Sequence, residues 1–263
     1  MTSLLASILI DGFAYGMVLF MVSVGLTVTL GLMRFVNLAH GVFAMIGGYA
    51  AACLITMVGM PYALALVLAA VVAGIIAYGL EIAIVQRMYN RPELDQVLLT
   101  IGLVFVAIAL AGIAFGNSLV PVPLPDMLRG ATDLGFRVMP SQRIVAAVVG
   151  LLALAAIWLL FERTMFGIRL RATLAGLGGV VGAELLPIEP YYPLKYLVLF
   201  LAVVAVGGPG SVFGSLVAAL LLGTVETAGK YLAPGFATIG LYLVMLLVLS
   251  LRPDGLFKRQ SKH

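Results

Sequence analysis

The chain has 263 residues, of which 63% are apolar and only 10% charged, and it carries a net charge of +4. A soluble domain is nearer half apolar and a quarter charged, so a soluble globule is excluded, whereas lipid is a solvent for such a chain. Its basic residues stand in ones and twos between apolar runs, which excludes a nucleic-acid surface, and the lone Cys53 excludes an intrachain disulfide and a cysteine metal cluster.

About 20 apolar residues cross the hydrocarbon core as a helix, so this length allows about six to eight membrane segments. The expected fold is all-α, a single polytopic transmembrane helical bundle over residues 1–263. The first apolar run, Leu4 to Leu32, begins without a basic leader and continues past Asp11, so it reads as a retained helix and not a cleaved signal. The second run, Phe35 to Val58, opens on Asn37, His40 and Gly41. Runs three and four cover Tyr62–Val85 and Val97–Phe115, with the polar stretch Gln86–Glu93 between them. A loop with Pro121, Pro123, Pro125 and Pro140 leads into run five, Ile144–Phe161. After the basic stretch Arg163–Arg171 comes a weak run, Leu174–Leu186, too short to span a bilayer. A turn at Pro187, Pro190 and Pro193 follows, then a long run, Leu194–Gly223, split by Gly207-Gly208-Pro209-Gly210. The last run, Phe236–Leu251, stops at Arg252-Pro253.

The positive-inside rule orients the chain. With the loops after runs one, three and five and the C-terminus on the cytoplasmic side, that side holds ten of the 15 Lys and Arg: Arg34, Arg87, Arg91, Arg163, Arg169, Arg171, Arg252, Lys258, Arg259 and Lys262. The N-terminus is then external. Glycines four apart (Gly12 and Gly16, Gly112 and Gly116, Gly178 and Gly182, Gly210 and Gly214) allow close helix approach in lipid and predict tight packing.

Two segments break the apolar runs, and backbone groups freed at membrane depth must find partners in protein or a water-lined cavity. In transporters such breaks fall in corresponding places of two halves and face the translocation path. Asn37, His40 and Gly41 form the first break; Gly207, Gly208, Gly210 and Ser211 form the second. Each precedes a Val-Phe pair and a Gly/Ala-rich helix, a short internal echo. Both are expected to be broken or re-entrant and to face the path. His40 has two readings: a proton relay or substrate contact, or, with Asn37, a partner for backbone groups at the break. Asp11 and Glu226 are the other ionisable candidates inside or at the edges of apolar runs, and Glu226 sits four residues before Lys230, a helix-surface pairing distance.

Motifs for chemistry are missing. Between Gly223 and Gly229 stand five residues, and Tyr231 occupies the Ser/Thr place of a nucleotide-binding loop. No zincin helix or Gly-x-Ser-x-Gly elbow occurs, and the second histidine is the terminal His263. No enzyme activity, metal or cofactor is expected.

The run from Gly25 through Arg34, Asn37, Ala39, His40 and Gly41 to Met45, Gly47 and Tyr49 resembles the N-terminal signature of bacterial branched-chain amino acid ABC transporter permeases of the Liv type. Further similarity lies at Glu81 to Pro92, Leu99–Leu103, Phe161–Thr173, Val206–Gly214 and Leu251–Phe257, so it extends along nearly the whole chain. The resemblance implies a multi-pass permease subunit of the bacterial inner membrane, translocating branched-chain amino acids. Its partners would be cytoplasmic ATPase subunits, a second permease subunit, a periplasmic substrate-binding protein and the lipid bilayer, with no nucleic acid. It places ATPase coupling at Gly167, Arg169, Arg171 and Ala172. One departure stands out: after Thr173 the chain passes directly into Leu174–Ala183, which reads as an internal deletion of a couple of dozen residues near 173–187 against the family's pattern. Alternatives are a stand-alone channel or secondary transporter for small polar solutes such as urea or amides, or a coupling-defective paralogue.

Overall fold

The computed structural model describes residues 2–33, 35, 37–133, 138–161, 175–183 and 185–257. Its long helices are α1 (Thr2–Val28, continued by a π-helical turn Thr29–Met33), α2 (His40–Thr56), α3 (Tyr62–Ala83), α4 (Glu93–Phe115) and α6 (Ser141–Phe161). A short helix α5 (Asp126–Arg129) and a hairpin of β1 (Ala131–Asp133) and β2 (Val138–Pro140) sit in the proline-rich connection. Residues 175–181 form α7. They are followed by α8 (Tyr192–Lys195), α9 (Leu197–Gly207), α10 (Val212–Leu232) and α11 (Ala237–Leu251). Among the described residues, five segments are long and apolar enough to cross a membrane, and three more apolar helices are shorter. The protein is an all-α polytopic membrane protein.

Helix α1 is the central stave: 72% of its span is enclosed by protein, against 11% for the last span, Pro234–Leu251. Its small residues explain this. A Cβ on Gly12 would stand 2.7 Å from the Thr224 Cα, and one on Gly16 2.9 Å from the Leu220 Cα, so α1 and α10 touch backbone to backbone. Dispersion and short interhelical bonds hold such a contact in lipid, where no hydrophobic drive exists between helices. Further along, Thr27 and Ser215 hydroxyls lie 2.5 Å apart and both are buried. The pairs Gly12–Thr224, Gly16–Leu220, Thr27–Ser215 and Gly31–Gly210 run in opposite order, so the two helices are antiparallel.

The described residues of the weak run, 175–183, form a buried wedge. Gly176 abuts Ala73 of α3, Gly178 abuts Val22 of α1, Gly179 faces the Ala44 carbonyl of α2, and Gly182 faces Val18 of α1. Ala175, Val180 and Val181 are shut from solvent. The segment is helical without spanning, because it packs at the level of the middle of α1 and leaves its apolar residues inside protein. The connection after it is tied to the proline-rich loop by Val120 N–H donating to the Ile188 carbonyl at 2.9 Å. Of the glycine pairs, Gly112 and Gly116 do not serve packing: Gly116, at φ 77, caps the end of α4.

Candidate translocation path and polar vestibule

Of the first break, Asn37–Ala39 are non-helical, whereas His40 and Gly41, expected to be part of the break, already form the first turn of α2. The Asn37 side-chain oxygen accepts a hydrogen bond from Ala39 N–H at 3.0 Å, the Val42 N–H donates to the Ala39 carbonyl at 2.9 Å, and Asn37 and His40 are both buried. The Asn37 amide thus satisfies the backbone at the break. The His40 ring meets Phe43 edge-on with centroids 6.0 Å apart. Gly41 lies against Pro193 of α8 and Phe200 of α9, where a Cβ would come to 3.1 Å from the Pro193 Cα.

The second break is the turn between α9 and α10. Gly208 has φ 95 and Gly210 φ 83, torsions that L side chains resist. The Gly210 N–H donates to the Thr27 carbonyl at 3.1 Å and the Ser211 N–H to the Gly208 carbonyl at 3.1 Å. Ser211 caps α10 by accepting from Gly214 N–H at 3.0 Å. From the C-terminal turn, Leu256 N–H donates to the Val206 carbonyl at 2.7 Å and Phe257 N–H to that of Gly207 at 3.3 Å. The backbone groups freed by the turn therefore bind protein, as a break in lipid demands. The two breaks keep different neighbours among the described residues: Asn37–Gly41 packs on α8 and α9, and Gly207–Ser211 on the end of α1 and the C-terminal turn. Gly167, Arg169, Arg171 and Ala172 lie outside the described residues.

An apolar cavity of about 480 Å³ lies between α2, α3 and α4, lined by Asn37, Val42, Phe43, Ile46, Leu103 and Ala107 among others. Asn37 is the one predicted path residue in its wall. At its far end Tyr49 stacks on Phe115 at 4.2 Å. The lining suits hydrocarbon and offers a zwitterion almost no polar partner.

A second cavity, of about 330 Å³, is polar. Asp11, Tyr15, Arg143, Leu185, Thr227, Lys230 and Tyr231 line it. Asp11, buried on α1, pairs with Arg143 at the start of α6 at 2.6 Å, and Tyr231 of α10 donates its hydroxyl to the same carboxylate oxygen at 2.5 Å. Lys230 pairs with Glu226 at 2.8 Å, the contact expected from their spacing, and lies 4.7 Å from the centre of the Tyr15 ring. Two anions and two cations thus join α1, α6 and α10 at the Asp11 end of the bundle. Asp11 and Glu226 were legible as candidates; Arg143 and Tyr231 were not, because only the packing of α6 and α10 around α1 brings them to Asp11.

Comparison with known proteins adds the family. The model of the branched-chain amino acid transport system permease component matches residues 8–174, well over half the chain. The chain is 27% identical over 295 aligned positions to BraD of Pseudomonas aeruginosa, a high-affinity branched-chain amino acid transport system permease protein, with 95% of each chain covered. It is 24% identical over 291 positions to the LivH proteins of Salmonella typhimurium and Escherichia coli K12, which carry the same description, covering 95% of this chain and 94% of theirs. No solved structure matches it. With its apolar spans, its glycine-packed central helix and this chain-long similarity, the chain belongs to the family of branched-chain amino acid transport permeases.

Proposed function

We propose that this chain is the permease subunit of an importer that moves branched-chain amino acids across the bacterial inner membrane. Separate cytoplasmic ATPases drive it, a periplasmic binding protein feeds it, and a second permease subunit completes the path. The observation that carries this reading is the similarity along 95% of the chain to BraD and LivH, both described as high-affinity branched-chain amino acid transport permease proteins. The lysine and arginine distribution supports an external Asp11 end and an internal end at the Gly31–Gly210 contact. The two breaks are the path-facing elements, since they are the places where the backbone leaves the helix within apolar runs.

Coupling to the ATPase rests on Gly167, Arg169, Arg171 and Ala172 by resemblance. Two observations support a shortened region just after them. The family match ends at residue 174. The alignment to BraD has 295 positions against the chain's 263 residues, so at least 32 positions have no counterpart here. On this reading the buried wedge at 175–181 follows directly on the shortened coupling region.

The test is genetic. A bacterial strain stripped of its own branched-chain amino acid permeases receives this chain with its partner permease, ATPases and binding protein, and radiolabelled leucine uptake is measured. Uptake well above the strain lacking this chain is expected. Uptake equal with and without it overturns the reading.

A further inference from the structure

The polar cavity at the Asp11 end is not explained by helix packing alone. Helices α1 and α10 already touch through Gly12, Gly16 and Gly223 without help from charge. Charged side chains in a membrane bundle are expensive and mark pathways, relays or ligand sites. A buried ion pair gains little net stability over apolar packing. Here Asp11, Arg143 and Lys230, each held in an ion pair, line about 330 Å³ of space instead of a filled seam, within the size range of small-molecule sites, about 300–1,000 Å³.

We propose that this cavity is an external binding site for the head group of a free α-amino acid. Arg143 presents a planar fork of donors suited to a carboxylate, and Lys230 adds a second cationic donor on the same wall, while the Tyr231 hydroxyl holds Asp11. Asp11 supplies the anion for an α-ammonium, and Glu226, which holds Lys230 at 2.8 Å, balances the second cation. Leu185, from the connection after α7, and the ring of Tyr15 form the apolar part of the wall, where a branched side chain rests. The logic of the site is charge exchange. Arg143 pairs with Asp11 at 2.6 Å. A zwitterion carries one charge of each sign, so its carboxylate takes Arg143 while its ammonium takes Arg143's place at Asp11, and no buried charge is stranded. A ligand with only the amine or only the acid replaces half of the pair and leaves the other half exposed to desolvation without compensation. The site therefore selects the intact amino acid. This assignment rests on the importer reading for which amino acid the site meets, but its geometry is a property of the chain alone.

The test uses the purified full chain in lipid nanodiscs, without ATPase or binding protein, and measures equilibrium binding of radiolabelled L-leucine. Saturable binding is expected, displaced by unlabelled leucine but not by isopentylamine or 4-methylpentanoate, which lack the carboxylate and the amine respectively. Asp11→Asn is expected to weaken binding by about tenfold or more. Because Asp11→Asn also alters a helix contact, Leu185→Trp serves as a second variant: it fills the cavity, leaves every charge in place, and is expected to abolish binding while the protein elutes as the wild type does. Absence of saturable leucine binding, equal displacement by the amine or the acid, or full binding by Leu185→Trp overturns the proposal. Leucine binding by a chain that supports no ATP-driven uptake keeps this site and refutes the importer reading. ATP-driven uptake by a chain that binds no leucine keeps the importer and refutes this site.

Discussion

Gly210 shows how single positions carry the packing. It holds φ 83, and a Cβ there would stand 2.9 Å from the Gly31 Cα. Gly210→Leu combines a left-handed torsion with a backbone clash, a strain of about 1–3 kcal/mol or more, and is expected to lower the melting midpoint in detergent and to abolish transport. Gly79→Leu, where nothing lies within 4 Å of the added carbon, is the control and is expected to leave both near normal. Equal midpoints for the two variants would show that the α9–α10 turn is not the tight seam described. Asp11 makes the electrostatic counterpart. Arg143→Ala removes the ion-pair partner of a carboxylate that is only 4% exposed. Stranding one partner of a buried pair costs about 3–5 kcal/mol, and less here because Arg143 itself keeps contact with solvent. A marked drop in thermal midpoint is expected, partly recovered when Asp11→Asn is added; no recovery would mean that the two side chains do not act as a pair.

The helices themselves were largely legible. Runs one, three, four and eight reappear as α1, α3, α4 and α11, and α4 starts at Glu93 because Pro92 suits the position just before a helix and not its interior. The polar opening of run two marks a break, but a shorter one than expected: α2 begins at His40, so His40 and Gly41 are helical. The glycine cluster splits α9 from α10 as its torsions require. The segment after Thr173 shows what hydropathy cannot tell. An apolar run records that water is excluded but not whether lipid or protein excludes it, so the wedge at 175–181 had no sequence mark beyond its glycines. The same holds for Gly112 and Gly116, whose spacing matches a packing motif although Gly116 ends a helix. For the Asp11–Arg143 pair no local pattern exists, because the contact is made only by folding. The two breaks carry a prediction of their own. In a Cys53→Ala background, Asn37→Cys and Ser211→Cys are expected to react with a water-soluble maleimide during transport, while Ile113→Cys, on the exposed side of α4, is not. Protection of both break positions under all conditions would place them off the path.

As a whole, the molecule is an apolar bundle around α1, with charge gathered at its ends. The shortening proposed near 173–187 bears on its assembly. Stable protein interfaces bury about 1,200–2,000 Å² in total; ion pairs at a protein surface contribute little and are screened by salt, so a contact proposed to rest mainly on Arg163, Arg169 and Arg171 would be salt-sensitive. Raising salt from about 0.1 to about 1 M shortens the screening length from about 10 to about 3 Å, and the ATPase is expected to dissociate from this chain in detergent over that range. Reinserting the corresponding segment from BraD should hold it; a complex equally firm at both salts would show that residues 174–187 replace what the relatives carry. The reading of the chain as an ATP-driven amino acid permease is tested most directly in proteoliposomes holding this chain, its partner permease and the ATPases, with binding protein and radiolabelled leucine on one side and ATP on the other. Leucine accumulation that requires ATP, the binding protein and this chain together is the result expected; accumulation that proceeds without ATP, as through a channel, would contradict it.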